Sequence, residues 1–482
     1  MAEGLVVVSN RLPYDIGREP GRGAPKRNVG GLVNAIEPVL AERGGKWVGW
    51  DGAMLPSAAA VAQSWARPRS TRLASGVVLC GVPLSERDVA RYYHGASNRA
   101  LWPLFHDFPG KTVLEPEDWV AYREVNRRFA EATLRYARPG ERIWVHDFHL
   151  MLVPRLLREL GFGGRVDFFL HIPFPPAEIF RVLPWREEVL RGLLGANTIV
   201  FQVGRYKRNF VESARSLGVV APDDEIRGPI TLEHEEGSTR ASAEPIGIDA
   251  ADFVRLAEDP EVKARSVQIR RAYGPRPILF GGERLDYTKG ILERFLAVER
   301  MLRTNPSKAG TFAFLQVVVP GRHQVEEYRQ MKREIDRQVG RINGEWGGEG
   351  WVPIHYRARA LDRPELVAHY LAASVVLVTP LRDGMNLVAP EFVASRRDGD
   401  GVLVLSEFAG VSEHLPGALA VNPNDVEAFA TTLVRALSMP ERERRERMDR
   451  MRPFVEANPA TAWAERCLAL PPGGAVRAER AG

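Results

Sequence analysis

Two short segments carry charged residues whose types and spacing suit an anionic ligand. In "GGERLDYTKG", Arg284 and Lys289 flank a loop that follows an apolar run. In "VVLVTPLRDGMNLVAPEFVAS", Asp383 also follows an apolar run, and Glu391 lies in the helix-like segment beyond it. The planar fork of arginine and the point charge of lysine suit two phosphates, and the free N–H groups that begin a helix suit the same anion. Together the segments predict a diphosphate site, although each alone could be an ordinary turn.

Polar residues end three more apolar runs in the first half of the chain. Arg11 ends "VVVSNR", Asp147 follows "WVH", and His171 ends "FFLH". Gly30 and Gly31 begin the helix-like run "GGLVNA", where backbone N–H groups could approach a ligand closely. One histidine or one glycine pair is weak evidence. Five polar clusters at equivalent places are hard to explain as structure alone, and they indicate a binding site.

The elements that position these residues alternate between strands and helices. Apolar runs of strand length recur in two series, at 5–9, 142–146, 166–171 and 198–203, and then at 277–282, 312–319, 352–357, 375–381 and 401–406. Amphipathic segments separate them, which predicts parallel, doubly wound sheets with ligands at the carboxyl ends of the strands. The interpretation is an α/β chain of two Rossmann-like domains, residues 1–245 and 246–470, facing each other across a cleft. The last helices are expected to pack back on the first domain, and residues 471–482 to form a disordered tail.

Composition narrows the class of protein. The net charge is +5 and the pI about 9.2, but arginine is scattered, and its densest run, 440–453, interleaves acidic residues. This pattern predicts a solvated helix and no nucleic-acid partner. No apolar stretch approaches the roughly 18 residues that cross a bilayer, and the first residues do not form a signal peptide, so no membrane partner is expected. Cys80 and Cys467 alone give no disulfide framework and predict a cytoplasmic protein.

Long motifs along the chain resemble those of the trehalose-6-phosphate synthase family. They occur in family order over about residues 5 to 425, and they are "VVVSNR", "GGLV", "YYHGASNRALWPLFH", "WVHDFHLMLVP", "FFLHIPFPPAEIFRVLPWREEVLRGLLGA", "ERLDYTKGI", "GRINGEWG" and "LVTPLRDGMNLVAPEFVA". The resemblance implies a GT-B glycosyltransferase with its active site in the cleft. It implies transfer of glucose, with retention, from a nucleotide sugar to glucose 6-phosphate, with no metal and no other cofactor. Small-molecule substrates and a possible homo-oligomer are the expected partners.

The resemblance also assigns roles to residues that match the family's motifs. The residues expected to bind the acceptor are Arg11, Tyr93, Trp102, Asp147 and Arg322. The residues expected to bind the donor are Gly30, Gly31, Arg284, Lys289, Asp383, Gly384, Met385, Asn386, Leu387, Val388 and Glu391. The residues expected to act in catalysis are His171, Arg284, Lys289 and Asp383. The charges of Arg284 and Lys289 would stabilise the leaving diphosphate, while His171 and Asp383 would hold the transferred glucose.

The two carboxylates Asp383 and Glu391 could also suit a glycosidase-like mechanism, in which one is the nucleophile and the other the acid and base. Their implied partners are sugar and ribose hydroxyls, however. We therefore favour a mechanism in which the acceptor hydroxyl attacks from the same face from which the leaving group departs. The leaving phosphate oxygen accepts the proton of that hydroxyl.

The chain departs from the common family forms where the nucleobase is expected to lie. The segment "YRARALD" at 356–362 has Arg357 and Arg359 in alternation, and Leu361 stands where an aromatic residue may occur. An arginine fork matches the O6 and N7 acceptors of guanine, and a leucine leaves room for a purine. GDP-glucose is therefore predicted as the donor, against the family default of UDP-glucose. If both arginines are solvated, uracil could bind through backbone atoms.

Two other functions remain open. A relative of the validoxylamine 7′-phosphate synthase type would couple a pseudo-sugar in place of glucose, but the acceptor residues look intact. A catalytically silent sugar-phosphate sensor would be expected to have lost Arg284, Lys289 or Asp383, and all three are present.

Overall fold

The computed structural model describes residues 4–16, 26–27, 31–67, 69–221, 228–321 and 326–474. The chain forms two compact units. Unit 1 comprises Met1–Ile246 and Ala460–Gly482, and unit 2 comprises Gly247–Pro459. Among the described residues, no helix combines the length and hydropathy that crossing a membrane requires.

The strands are given in chain order: β1 (Leu5–Arg11), β2 (Tyr14–Asp15), β3 (Lys26–Arg27), β4 (Lys46–Leu55), β5 (Ser70–Arg72), β6 (Val78–Ser85), β7 (Arg142–His146), β8 (Val166–Leu170), β9 (Thr198–Phe201), β10 (Ile230–His234), β11 (Gly237–Ala243), β12 (Ile278–Arg284), β13 (Ala313–Val319), β14 (Ile354–Ala358), β15 (Val375–Val378), β16 (Val402–Ser406) and β17 (Leu419–Val421).

The α-helices are α1 (Gly31–Arg43), α2 (Ala58–Ala66), α3 (Glu86–Asp88), α4 (Trp102–Phe105), α5 (Pro116–Tyr136), α6 (Val153–Glu159), α7 (Ala177–Phe180), α8 (Arg186–Leu194), α9 (Gly204–Arg215), α10 (Ala250–Glu258), α11 (Pro260–Ala272), α12 (Ile291–Thr304), α13 (Glu326–Trp346), α14 (Arg363–Ala372), α15 (Val388–Ser395), α16 (Val426–Leu437), α17 (Glu441–Ala457) and α18 (Ala460–Ala469). A π-helix covers Val89–Leu101, and short 3₁₀ turns cover Pro109–Lys111, Phe148–Leu150, Tyr287–Lys289, Pro306–Lys308 and Gly410–Glu413.

The sheet of unit 1 has the strand order β10-β11-β9-β8-β7-β1-β4-β6-β5. Its seven inner strands, from β11 to β6, run parallel, and antiparallel β10 and β5 lie at the two edges. The apolar run Leu5–Val8 is buried because β1 lies in the middle of this sheet. The chain goes from β1 outward through β4 and β6, and later returns to the other side of β1 at β7. The carboxyl ends of β1 and β7 therefore form the switch point of unit 1, where ligands bind in such sheets.

The sheet of unit 2 is entirely parallel, with the order β14-β13-β12-β15-β16-β17. Its switch point lies between β12 and β15. One hydrophobic core packs the strands of this sheet against helices such as α12 and α16. Its strand residues include Leu279, Phe314, Leu377 and Val404. The two units confirm the predicted α/β class with two doubly wound, Rossmann-like sheets.

The π-helix of unit 1 is three turns long, whereas this geometry usually occurs as a single bulge. At its end, the N–H of Trp102 donates to the Ser97 carbonyl, five residues back. The buried Asp118 of α5 accepts hydrogen bonds from Arg91 at 3.0 Å and from Arg99 at 2.8 Å. This carboxylate ties two turns of the π-helix to α5. The sequence analysis did not predict this geometry, because hydrophobic spacing does not separate it from an α-helix.

Three details differ from the sequence-based expectations. The strand predicted at 375–381 ends at Val378, since Pro380 has no N–H to donate to a neighbouring strand. Strands β5, β10 and β11 were not predicted, because their residues do not form an apolar run, and neither were β4 and β6, whose apolar residues are interrupted by glycine. Residues 471–474, which the analysis placed in the tail, are attached to unit 1: the N–H of Gly473 donates to Asn197 at 2.9 Å, and that of Gly474 to Ser238 at 2.7 Å.

Candidate functional site

In unit 2, the predicted diphosphate residues lie at the switch point between β12 and β15. Lys289 follows β12 and Asp383 follows β15, and Lys289 Nζ donates to Asp383 Oδ2 at 2.7 Å. Asn386 Nδ2 donates to the same carboxylate oxygen at 3.0 Å. Both members of the ion pair are largely buried, with side chains 12% and 14% exposed. The structure therefore brings together two residues that stand 94 positions apart in the sequence.

Arg294 of α12 holds this switch point in place. It is fully buried, and its guanidinium donates to the Lys289 carbonyl at 2.8 Å and to Thr379 Oγ1 at 2.7 Å. It also forms a two-point ion pair with Glu283 of β12. Removing one partner of a buried pair leaves a costly uncompensated charge, so this arrangement fixes the loop firmly. The sequence analysis missed Arg294, because an arginine inside a helix gives no sign that it is buried.

Gly290 allows the loops after β12 and β15 to touch. Its φ is +66°, and a Cβ there would collide with the Thr379 carbonyl oxygen. Beside it, the N–H of Leu381 donates to the Thr288 carbonyl at 2.7 Å. A residue with a side chain would be strained at this position and would separate the two loops. Glycine is thus required for Lys289 to reach Asp383.

Arg284 ends β12 and differs from Lys289 in its surroundings. Its side chain is exposed, and among the described residues it forms no ion pair or side-chain hydrogen bond. An unpaired guanidinium at a switch point retains all its donors for an anion. The prediction that Arg284 contacts the donor diphosphate stays a prediction, and its position agrees with that role.

The loop from Gly384 to Val388 connects Asp383 to α15. Met385 accepts a backbone hydrogen bond from Val411 at 3.0 Å, and a side chain at Gly410 would collide with the Gly384 carbonyl. Asn386 has φ +75°, and its Oδ1 accepts from the N–H of Val388 at 3.0 Å. Leu387 precedes the first residue of α15. The Val388 N–H, predicted to receive phosphate, therefore already has an acceptor in this conformation.

Glu391 lies in the first turns of α15, as predicted. Tyr370 donates its hydroxyl to Glu391 Oε2 at 3.2 Å. Burial raises the pKa of Glu391 to about 7, although the Tyr370 hydrogen bond lowers it. Because the native carboxyl holds its proton more tightly than an ordinary glutamate, this residue makes the free energy of unfolding fall as pH rises from about 4.5 to about 7.

The pKa of Glu391 predicts a pH-dependent affinity for the donor. A carboxylate accepts hydrogen bonds from hydroxyls more strongly than a carboxylic acid does. We expect the Kd for the nucleotide sugar to rise about fivefold as pH falls from 8 to 6, and Glu391→Gln to bind weakly at both values. Isothermal titration of the two proteins at both pH values measures this. An equal pH dependence in wild type and Glu391→Gln would contradict the prediction.

The segment predicted to read the base carries two arginines with protein partners. Arg357 donates to the Tyr273 hydroxyl at 3.2 Å. Arg359, 47% exposed, donates to Glu365 Oε1 at 3.2 Å, and Arg265 already binds that carboxylate through two donors at 2.8 and 2.9 Å. Leu361 is half-buried and lies in the loop that connects β14 to α14. The two guanidiniums thus contact different protein groups, and Arg359 is the more accessible of the two.

In unit 1, Arg11 ends β1 at the switch point. Its guanidinium lies over the Trp50 ring, 5.0 Å from the centroid, and donates to Asp15 Oδ1 at 3.0 Å. Gly31 begins α1. Gly30 and Arg322, predicted to bind the donor and the acceptor phosphate, lie outside the described residues.

Tyr93 lies in the π-helix, and Trp102 begins α4 directly after it. The Tyr93 ring stacks on His149 with centroids 5.8 Å apart and planes 12° apart. Trp102 is buried against Phe148, 5.6 Å between centroids. Both rings therefore pack on the 3₁₀ turn that directly follows Asp147. His149 and Phe148 were not predicted as site residues, although they stand in the same "WVHDFHL" motif.

Asp147, at the end of β7, has φ 75° and ψ 166°, a conformation that glycine adopts almost alone. Its N–H donates to Phe169 of the neighbouring strand at 2.8 Å, and its Oδ1 accepts from the N–H of His171 at 3.3 Å. Strained backbone of this kind persists where the surroundings fix it, and it occurs often at functional sites. The structure thus places Asp147 and His171 side by side at the predicted edge.

His171 is held from both sides by protein groups. Its Nε2 lies 3.1 Å from His146 Nδ1, and its Nδ1 lies 3.5 Å from Gln202 Nε2. The N–H of Ile246 donates to Gln202 Oε1 at 3.0 Å, which turns the amide nitrogen toward His171. Burial lowers the pKa of His171 to about 3 and that of His146 as well, so both rings are neutral. A sugar contact through a ring nitrogen of His171, as predicted, would have to replace His146 at Nε2 or Gln202 at Nδ1.

Among the described residues, no group of three histidine, cysteine, aspartate or glutamate side chains is arranged to hold a metal ion. The positive charges at the two switch points come from arginine and lysine. That the transfer needs no metal or other cofactor stays a prediction.

Comparison with known proteins agrees with the geometry of both units. The family model described as glycosyltransferase family 20 matches residues 3–470. The trehalose-6-phosphate synthase of Mycobacterium avium (strain 104) is 43% identical over 96% of this chain and 94% of its own length. A bifunctional trehalose-6-phosphate synthase/phosphatase from Thermoproteus tenax is 45% identical over 95% of this chain, and the match spans 62% of that longer protein.

A solved structure has the same architecture. A UDP-forming α,α-trehalose-phosphate synthase from Burkholderia xenovorans, in complex with glucose 6-phosphate, superimposes with a TM-score of 0.87 at 34% identity, covering 96% of this chain and 99% of the other. The long match to the family model and the high identity to its members lead to one conclusion. The chain belongs to glycosyltransferase family 20, and within it to the trehalose-6-phosphate synthase family.

Proposed function

We propose that this protein makes α,α-trehalose 6-phosphate from a nucleoside-diphosphate glucose and glucose 6-phosphate. The observation that carries the proposal is the Lys289–Asp383 pair at the switch point of unit 2, where a cation and a hydroxyl acceptor stand side by side. A nucleotide sugar needs both, because it carries its sugar directly on a diphosphate. The names of the relatives, and the glucose 6-phosphate complex among them, support the same substrates.

In this proposal unit 2 binds the donor. Lys289 and Arg284 bind the diphosphate, Asp383 accepts a hydroxyl of the transferred glucose, and Glu391 accepts the ribose hydroxyls. As the bond from the anomeric carbon to the phosphate oxygen breaks, negative charge gathers on the diphosphate. Fixed cations stabilise this charge at no cost of reorganisation, so they lower the barrier.

Unit 1 binds the acceptor. Arg11 binds the 6-phosphate, with Arg322 as its predicted second cation, while Tyr93, Trp102 and Asp147 line the sugar. The acceptor's anomeric hydroxyl attacks from the face that the diphosphate leaves, and the leaving phosphate oxygen takes its proton. A new bond joins the two anomeric carbons through oxygen, and the nucleoside diphosphate departs. No side chain acts as nucleophile, and the α-configuration is retained.

The donor base is the finer part of the proposal. We predict GDP-glucose, because Arg359 is 47% exposed and shares Glu365 with Arg265, which leaves guanidinium donors for the O6 and N7 of guanine. UDP-glucose is the second candidate. It is favoured by the UDP-forming relatives and by the partners that Arg357 and Arg359 have within unit 2.

A donor comparison tests this part. We expect kcat/KM at saturating glucose 6-phosphate to be highest with GDP-glucose, above UDP- and ADP-glucose. Arg359→Ala should lower kcat/KM for GDP-glucose about 10-fold or more and leave UDP-glucose unchanged, since a bidentate contact to guanine is worth ~1–3 kcal/mol. Arg337→Ala, an exposed arginine of α13 paired with Glu334, is the control. A preference of the wild type for UDP-glucose would end the guanine prediction and leave the transferase proposal intact.

A further inference from the structure

The cation expected to bind the acceptor phosphate is already paired with a carboxylate. Arg11 Nη2 donates to Asp15 Oδ1 at 3.0 Å. The two side chains differ in exposure: that of Asp15 is 12% exposed, and that of Arg11 is 44% exposed. The carboxylate is therefore covered, while the guanidinium remains accessible. None of the roles assigned above includes Asp15.

Several features hold this pair in one geometry. Asp15 belongs to β2, whose backbone pairs with β3. On the other side lies Gly52, with φ +87°, where a Cβ would be only 2.7 Å from Asp15 Oδ1. The guanidinium of Arg11 lies over the Trp50 ring, with its Cζ 5.0 Å from the ring centroid. Backbone covers the carboxylate and an aromatic face supports the guanidinium, which together restrict the geometry of the pair.

We propose that Asp15 competes with the acceptor's phosphate for Arg11 and so sets how tightly the pocket holds anions. This inference rests on the proposed function. In the free protein the carboxylate acts as a stand-in anion that neutralises Arg11. A binding-competent guanidinium is then only fractionally available, and every anion that needs it binds more weakly by the same factor. Inorganic phosphate gains only the contacts to its anionic oxygens, whereas the acceptor also gains contacts through its sugar ring.

The competition would lower the occupancy of the pocket by every phosphate in the same proportion. Cations that are not neutralised attract any phosphate, because their field does not distinguish one anion from another. Weakening the anion contact lowers the affinity for all of them together, and the sugar contacts set the ratio between the acceptor and inorganic phosphate with or without Asp15. Because the product carries the same 6-phosphate as the acceptor, Asp15 would also favour product release.

The test compares wild type with Asp15→Asn, which keeps the shape and loses the charge. We expect the Kd for glucose 6-phosphate and the Kd for inorganic phosphate to fall by the same factor, about 2- to 10-fold, by isothermal titration. The kcat/KM for free glucose, which lacks the anion, should not change. Asp15→Ala should change the two affinities in the same direction. Thermal unfolding of each variant verifies that it folds.

The matched control is Glu159→Gln. Glu159 forms an ion pair at 3.2 Å with Arg155 of the same unit, and the two residues are four positions apart in the sequence, as Arg11 and Asp15 are. It should leave both Kd values unchanged. Weaker binding of both anions in folded Asp15→Asn would show that Asp15 instead positions Arg11, and unchanged binding would show that the pair has no effect; either result overturns the inference. If wild type itself does not turn over glucose 6-phosphate with any nucleotide sugar, the proposed function fails separately.

Discussion

Lys289→Ala should lower turnover at least about 100-fold with the preferred donor at saturating concentrations of both substrates. The lysine lies at the switch point of unit 2, 2.7 Å from Asp383, and its backbone is fixed by the buried Arg294. Its charge would act mainly on the diphosphate as it leaves, so that its loss raises the barrier of the chemical step. Deleting one fixed donor to a developing anion typically costs ~10²–10³ in kcat. Steady-state kinetics of the purified variant measures the effect.

A matched substitution separates catalysis from general loss of charge. Arg300→Ala removes an exposed cation of α12 that pairs with Glu427 at 2.7 Å. Neither residue belongs to the loops that follow β12 and β15. We expect this variant to retain wild-type turnover. Arg284→Ala should behave like Lys289→Ala, because its unpaired guanidinium is assigned to the same diphosphate. Near-normal turnover in both Lys289→Ala and Arg284→Ala would overturn the assignment of the diphosphate site.

Free glucose should be an acceptor at least about 10³-fold poorer than glucose 6-phosphate in kcat/KM. A site that is built around hydrogen bonds to a substrate group rejects an analogue without that group, since its own polar groups are then left without partners. In unit 1 this group is the 6-phosphate, and Arg11 is the described residue assigned to it. Rates with both acceptors under identical donor concentrations give the ratio directly.

Arg11→Ala should reduce the ratio of kcat/KM for glucose 6-phosphate to kcat/KM for glucose, because it should slow the reaction of glucose 6-phosphate much more than that of glucose. Arg135→Ala is the matched control, because Arg135 is also exposed and lies over a tryptophan ring, with its Cζ 4.7 Å from the centroid of Trp65. This control should leave the ratio unchanged. A wild-type protein that used glucose as readily as glucose 6-phosphate would contradict the assignment of the acceptor phosphate to Arg11.

Most inner strands could be predicted because each is a short apolar run between polar loops, but β4 and β6 were not predicted, since glycine interrupts their apolar residues. The run at 142–146 matches β7 at both ends, and the run at 312–319 differs from β13 by one residue. The pattern of apolar runs did not predict the features that other interactions determine. Pro380 ended β15 early, edge strands such as β10 are only half apolar, and the π-helix is bound through Arg91 and Arg99 to Asp118 of another helix.

The site could be predicted to the extent that it follows from strand ends. Asp147 and His171 lie together because β7 and β8 are parallel neighbours, and Lys289 meets Asp383 because β12 adjoins β15. Partners that come from elsewhere could not be foreseen. The ring of His171 faces His146 and Gln202, and Arg359 shares Glu365 with an arginine of α11; these contacts depend on packing that one sequence does not display.

The central claim is the transfer of glucose, with retention, to glucose 6-phosphate, and identification of the product tests it most directly. The protein is incubated with glucose 6-phosphate and GDP-, UDP- or ADP-glucose, and the product is analysed by mass, by phosphatase treatment and by NMR of the anomeric protons. The account predicts a disaccharide monophosphate that phosphatase converts into a non-reducing disaccharide with both anomeric centres in the α-configuration. A β-linked product, or no disaccharide from any of the donors, would contradict it.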